Sequence, residues 1–416
     1  MGCRVSAGRV SVVIIAMLAL GSANRVLAQA PDQPLPQAGF QDGFFVQSAN
    51  GDNRLLFGFV AQMDGRFSVD DPPAITNTFA IRKVRPTFSG RVAKYFDFKI
   101  MPDFGGGNSV LVDAYFDVRF SPKFRVRAGK DKTPVGYESL IGDAFLLFPE
   151  RSQASNLLPG RDVGVQVQGD LSPKVFYAAG VFNGVVDGTN STTDIDTNNG
   201  KDTAGRIVVQ PFRTTATPAG ALSGLGFQIG GSTGKQAGPL PSFRTSVGQV
   251  YFTYASGTLG DGRRTRITPT IFYYYKSLGV FSEYARSTQP VVHAGVTDTF
   301  TNTGWNVSGS FLLTGEAASS GITRPQRVFD PPTRKWGALQ IVARYAQLDV
   351  DDDLIRSAFA GAGAADKAKA FTVGVNWYPA SVFKYYLNYE RTSFDPGTAP
   401  DRATENVIFF RVQLGI

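Results

Sequence analysis

Hydrophobic and polar residues alternate with a period of two from about Leu55 to the C-terminus. In residues 55–67, Leu55, Phe57, Phe59, Ala61, Met63, Gly65 and Phe67 share one face, and Gln62, Asp64 and Arg66 lie on the other. Residues 110–120 repeat the pattern. Val110, Val112, Ala114, Phe116, Val118 and Phe120 oppose Asp113, Asp117 and Arg119, which share their face with Leu111 and Tyr115. An antiparallel strand with one face in lipid and the other in water needs this alternation. Similar segments fall at 83–91, 95–103, 124–132, 163–170, 175–183, 206–212, 225–233, 248–255, 266–275, 279–286, 305–314, 339–348, 371–378, 383–391 and 406–416. The total of seventeen does not suit an even-stranded barrel. One segment is therefore split or one is missing. Phe44–Gln47 is the candidate for a missing strand, and sixteen is the expected number.

Some connections are tight, as at Ser121-Pro122-Lys123 and Leu171-Ser172-Pro173, and others, at 187–203 and 315–335, are long and polar. This predicts short turns at one end of a barrel and long loops at the other. A soluble β-sandwich is the competing reading. Its strands would be about five or six residues long, and it would have to bury Asp113, Asp117 and Arg119 in a dry core, which is costly. A wide barrel lets that face line water. The fold class expected is therefore all-β, a transmembrane antiparallel barrel of about sixteen strands.

Composition agrees. Hydrophobic residues are 43% of the chain, yet the mean hydropathy is −0.08. A helical membrane bundle would need several apolar runs of about 20 residues. The 33 Phe and 15 Tyr exceed what a disordered chain carries. The N-terminus reads as a secretory leader, with Arg4 and Arg9 ahead of an apolar run from Val10 to Leu20 and a cleavage site after Ala28. The expected organisation is a leader at 1–28, an N-terminal segment at 29–54 with one candidate short strand, and the barrel at 55–416. The single cysteine, Cys3, leaves with the leader, so a mature disulfide or thiolate metal site is not expected. Losing Arg4, Arg9 and Arg25 leaves 39 basic against 34 acidic residues, a modest excess of +5. Basic runs interleaved with stacking aromatics are lacking, so nucleic acid is not an expected partner.

Several stretches resemble the phosphate-selective porin O and P family. They are Phe79-Ala80-Ile81-Arg82-Lys83-Val84-Arg85, Phe98-Lys99-Ile100-Met101-Pro102-Asp103-Phe104 and Leu111-Val112-Asp113-Ala114-Tyr115. Then come Gly129-Lys130-Asp131-Lys132-Thr133-Pro134-Val135-Gly136, Pro149-Glu150-Arg151-Ser152 and Arg161-Asp162-Val163-Gly164. Leu312-Leu313-Thr314-Gly315-Glu316, Ala343-Arg344-Tyr345, Gly374-Val375-Asn376-Trp377-Tyr378 and Arg411-Val412-Gln413-Leu414 complete the series. The resemblance implies a sixteen-stranded homotrimeric channel of a Gram-negative-type outer membrane. Its third loop folds inward, and the barrel-assembly machinery inserts it through the C-terminal strand. Barrels of this type commonly end in Phe; this chain ends in Ile416, still apolar.

Selectivity in such a pore comes from lumen charge. By alternation, the anion-contacting candidates are Arg66, Lys83, Arg85, Arg91, Arg119, Arg206, Arg344, Lys384 and Arg411. A guanidinium presents a planar set of donors to phosphate or carboxylate oxygens. The alternative is that these cations brace the wall against Asp64, Asp97, Asp113, Asp117, Asp170 and Glu390. The third-loop segment supplies the constriction candidates Glu138, Asp143, Glu150, Arg151 and Arg161. That set is mixed, not basic. It suits a weak anion preference for small anions or polar solutes better than strict phosphate specificity.

Catalysis finds little support. The only histidine, His293, is expected in a loop after Pro290, where a Ser–His pair would make a lipase-like barrel. The run Asp349 to Asp353 reads as a solvated loop, with Ca²⁺ binding as the alternative. Enzymatic activity, a metal and a cofactor are not expected. A lipase-like barrel and a non-conducting structural barrel remain the competing functions beside the porin.

Overall fold

The computed structural model describes residues 36–71, 73–107, 109–191, 194–196, 198–214, 220–398 and 402–416. The leader expected at 1–28 lies outside them. Sixteen strands form one closed antiparallel barrel. They are β1 (Arg54–Ser68), β2 (Thr78–Val92), β3 (Phe96–Asp103), β4 (Val110–Ser121), β5 (Phe124–Lys132), β6 (Arg161–Ser172), β7 (Val175–Phe182) and β8 (Asp202–Val209). Then come β9 (Leu225–Pro239), β10 (Leu259–Tyr275), β11 (Leu278–His293), β12 (Val296–Leu312), β13 (Ala338–Asp349), β14 (Lys367–Ala380), β15 (Phe383–Asp395) and β16 (Glu405–Gly415). Each strand pairs with its neighbour in sequence, and β16 closes on β1 from Val407↔Ser68 to Gly415↔Val60. Closure removes every free edge, the condition for crossing a bilayer with strands.

Exposure along the strands follows the period of two. Phe116 is 67% exposed while Asp117 is 3% exposed. Phe79, Ile81, Phe410 and Leu387 also point outward, and Asp64, Asp113 and Arg411 inward. An apolar exterior around a charged interior inverts a soluble core and suits lipid outside.

The seventeen segments resolve differently from expectation. Residues 248–255 are not a wall strand. Val250–Phe252 pairs with Phe243–Arg244 as a hairpin inside the β9–β10 connection. Phe44–Gln47 is a strand, but it lies outside the ring of sixteen. It pairs with Gln37–Phe40 and with the first four residues of β1.

The connections also depart from a clean asymmetry. Both ends of the barrel chain lie at the end with the tight turns, which is the periplasmic one by the usual pattern. The long connection 313–337 lies at that same end, between β12 and β13. Conversely, β11 and β12 are joined at the loop end by only Ala294 and Gly295, with φ of +48° and +81°. A two-residue type I′ turn needs positive φ at both positions, and glycine supplies one without strain.

The loop end is partly filled. Phe243, Tyr251 and Phe252 of the β9–β10 connection pack with Leu354, Phe359 and Ala364 of the β13–β14 connection. They cover inward Ala285, Val291, Phe300, Leu348 and Ala368, an apolar patch on an otherwise polar inner face. Fully burying the Val, Leu and Phe side chains among them stabilises by about 1.5–3 kcal/mol each.

Candidate functional site

The loop between β5 and β6, residues 133–160, runs along the inner faces of β9 to β16 and β1. Gln228 of β9 donates to the Gly136 carbonyl at 2.7 Å. Glu283 of β11 accepts the backbone N–H groups of Tyr137 and Glu138, both at 2.8 Å. Asn306 of β12 donates to Ser152 Oγ at 3.0 Å. Arg344 of β13 donates to the Glu150 carbonyl at 2.9 Å. Asn376 of β14 donates to Leu147 O at 2.9 Å, and Lys384 of β15 to Leu146 O at 2.6 Å. Gln413 of β16 reaches Ala144 O at 2.8 Å, and Gln62 of β1 reaches Asp143 O at 3.3 Å. A loop buried in a barrel must satisfy its backbone polar groups, and the wall supplies a partner strand after strand.

The loop's other side faces β2 to β6, where charge concentrates. A β-bulge in β2, opposite Gln62 and Met63, turns Arg82 and Lys83 both inward. Arg82 grips Glu150 through Nε at 2.8 Å and the second guanidinium nitrogen at 3.1 Å. Lys83 lies 3.2 Å from Asp143. Arg85 bonds Asp103 at 2.6 Å and also pairs with Asp143. Arg161 and Lys99 share Asp113 at 2.6 and 2.7 Å. Lys132 donates to the Ile141 carbonyl at 2.7 Å.

Two cavities open beside this wall. The one toward the long loops, of about 590 Å³, is lined by Arg66, Arg82, Lys83, Arg85, Lys132, Arg151, Arg161 and Arg244, but by only Asp143 and Glu150 among acids. The one toward the chain ends, of about 430 Å³, takes in Lys99, Arg127 and Arg206 together with Asp42, Asp113 and Asp131. Arg85, Lys132, Asp143 and Arg161 border both. Burial opposes ionisation of the loop carboxylates. Lys83, Arg151, Lys132 and Arg85 outweigh it at Asp143, and its carboxyl is held well below the usual range. Arg82, Arg411 and Lys83 do the same at Glu150.

The sequence-derived candidates divide into three groups. Arg66, Lys83, Arg85, Arg151 and Arg161 line the cavity toward the long loops, with Asp143 and Glu150, and Arg206 lines the other. Arg66 is tied to Asp64 at 2.9 Å and Glu150 at 3.4 Å, and Arg206 to Gln228 at 3.1 Å. Arg344, Lys384 and Arg411 lie buried beneath the loop. Arg344 bonds Glu390 at 3.2 Å and Glu138 at 3.4 Å, and Arg411 bonds Asp64 at 2.5 and 2.8 Å. Arg91 and Arg119 share Asp97 at 3.0 and 2.9 Å near the tight-turn end, away from both cavities.

Sequence reasoning left out Arg82, Lys99, Lys132 and Arg244. Arg82 was misplaced by parity, since strict alternation puts it on the lipid face. An arginine there would be costly, and that conflict was the available sign of a bulge. His293 is the last residue of β11, not a loop residue, and its Nδ1 lies 2.9 Å from Thr258 Oγ1. In the acidic run, Asp349 pairs with Lys367 at 2.8 Å, Asp351 caps the short helix Asp352–Arg356, and Arg356 pairs with Asp352 and Asp353.

A closed barrel, apolar outside and charged along a water-accessible interior, defines an outer-membrane channel for the diffusion of small solutes. The chain belongs to the phosphate-selective porin O and P family, whose model matches residues 60–416. The fold is shared with the outer-membrane channel DcaP of Acinetobacter baumannii, at 11% identity and a TM-score of 0.57, covering 91% of this chain and 100% of that one. An anion-selective porin from Comamonas acidovorans aligns at 10% identity and 0.56, over 88% of this chain and 100% of that one. The trimer form of in-vitro folded OmpT from Vibrio cholerae aligns at 12% identity and 0.52, over 88% and 99%. No curated protein matches the sequence significantly.

Proposed function

We propose that the pore is weakly anion-selective and that its ions pass along β2 to β6, narrowed by the loop 133–160. The observation that carries this is the excess of cations over carboxylates around the cavity toward the long loops. The passage is eccentric. The opposite half of the lumen is occupied by the loop's own anchors and by the apolar packing at the loop end. An anion entering among Arg82, Arg244 and Arg66 would be handed to Arg85, Lys132 and Arg161, then to Lys99, Arg127 and Arg206. Asp143, Glu150, Asp113, Asp117 and Asp131 neutralise part of this charge, which keeps binding moderate, as conduction requires. Inorganic phosphate and small carboxylates fit such donors. The reversal potential of single channels in a KCl gradient tests the reading. A cation-selective sign would overturn it.

A run of short strands on one side of the barrel favours a homotrimer. Strands β3, β7 and β8 have eight residues each, fewer than the nine to eleven of a spanning strand. Neighbouring copies would cover this low side. Migration before and after heating in detergent gels distinguishes trimer from monomer.

A further inference from the structure

On the outer face of β9, β10 and β11 the side chains of Lys235, Arg263 and Arg286 point away from the barrel and are exposed. Lys235 and Arg263 are directly opposite each other across the β9–β10 ladder. Arg286 lies on the next strand, opposite Ile267. The like charges of Lys235 and Arg263, placed directly opposite, repel one another. Among the described residues none of the three makes a side-chain hydrogen bond or ion pair. Other outward cations of the loop-end half are partnered. Lys367 meets Asp349 at 2.8 Å, Lys369 meets Asp395 at 2.7 Å, and Arg391 approaches Asn406 at 3.4 Å. The outward acid on this face is Asp261, two residues from Arg263 and not paired with it.

Height places Lys235 and Arg263 at a membrane boundary and Arg286 below them, level with Ile267. Arg263 lies ten residues before Tyr273, and Lys235 ten residues after Leu225, its cross-strand partner. At about 3.3 Å per residue and a tilt of about 40°, ten residues climb about 25 Å, the height of the apolar band. Arg286, opposite Ile267, lies four residues nearer the tight-turn end than Arg263 and so about 10 Å lower, and its long side chain can extend toward the boundary. Outward Phe227, Ile229, Ile267 and Ile271 fill the band below. Beside the cations, Thr233 and Thr265 approach at 3.4 Å and Thr288 and Thr301 at 2.9 Å, so hydroxyls replace hydrocarbon at this level.

We propose that Lys235, Arg263 and Arg286 form an outward-facing site for the phosphorylated headgroup of an outer-leaflet lipid. The ammonium of Lys235 and the guanidinium of Arg263, facing each other across one ladder, can divide phosphate oxygens between them, and Arg286 would extend up toward them from the next strand. The flanking threonines add neutral donors. The site takes a lipid because it opens to the bilayer and not to the lumen, and its floor is apolar. A bound phosphate would relieve the repulsion between Lys235 and Arg263, so the lipid also stabilises this side of the barrel.

Native mass spectrometry of the full-length mature protein in detergent tests the proposal, with bis-phosphorylated lipid A and its dephosphorylated form as probes. The wild type is expected to retain the phosphorylated form preferentially. The triple variant K235Q/R263Q/R286Q should lose affinity on the order of a hundredfold, roughly fivefold per cation. The variant K367Q/K369Q removes two outward cations elsewhere and should retain the lipid. Equal retention by wild type and triple variant, or equal retention of the two lipid forms, would overturn the site. If the triple variant does not fold, R263Q alone is read, with the fivefold loss expected; no loss overturns the proposal. Single-channel conductance of each variant should stay at the wild-type value.

Discussion

Arg82 and Glu150 are joined by two hydrogen bonds, 2.8 and 3.1 Å, across the gap between the barrel wall and the loop. The contact exists because the bulge in β2 turns Arg82 off the lipid face. Glu150 also accepts from Arg411 at 2.9 Å and lies 3.4 Å from Arg66, so one carboxylate gathers three guanidiniums. Arg411 and Arg66 keep Asp64 if Glu150 is neutralised. Arg82 keeps no carboxylate partner. E150Q should therefore leave Arg82 free in the lumen and increase anion preference. The reversal potential in a KCl gradient measures this, and a move toward cation preference would contradict it.

The wall cations should divide by location. K83Q/R85Q removes charge from the cavity border and should move the reversal potential toward cation preference. Lys384 is buried on the Leu146 carbonyl, and K384Q should move it far less. The contrast should be larger at 0.01 M salt, where screening extends over about 30 Å, than at 1 M, where it extends over about 3 Å. Equal shifts for both variants would mean that the path does not follow β2.

Removing residues 143–149 takes Asp143, the Leu146 and Leu147 anchors and the Phe148 side chain out of the lumen. Conductance should rise, because the occupied half of the lumen opens. An unchanged single-channel current in a correctly folded barrel would show that the loop does not limit flow.

The Asp143 and Glu150 contacts of the loop should resist acid. The Asp143 and Glu150 carboxyls lie below their ordinary values, near 4, because surrounding cations outweigh burial. A depressed carboxylate contributes stability that is fully present above its unfolded-state pKa and lost as pH falls through the folded one. Current noise from loop motion should therefore stay flat down to about pH 4 and grow only below it. An onset near neutral pH would assign the motion to other groups.

The register can be tested by energy. Arginine in place of Phe116 faces lipid and should destabilise the barrel by about 2–4 kcal/mol if it lies near the midplane. Arginine in place of Tyr115 faces the lumen and should cost much less. Urea titration in lipid vesicles measures both, and the reverse order would invert the assignment of faces.

The alternation by itself determined much of this protein. Phe116 against Asp117, and Phe410 against Arg411, are legible from residue type, because a strand has two faces and lipid tolerates only one kind of side chain. The class of fold and the inward direction of Lys83 and Arg85 follow from that rule. The position of Arg82 does not, since one extra residue in a ladder flips parity and only pairing with Gln62 and Met63 reveals it. Residues 248–255 looked like a wall strand because a loop hairpin under an apolar cover has the same local pattern as a strand under lipid. Lys384 and Arg85 are indistinguishable in sequence, each a cation on an inward face. The tertiary structure separates them, because the loop 133–160 lies on one half of the wall and leaves the other to water, and whether a charge braces or meets a solute depends on which half it occupies.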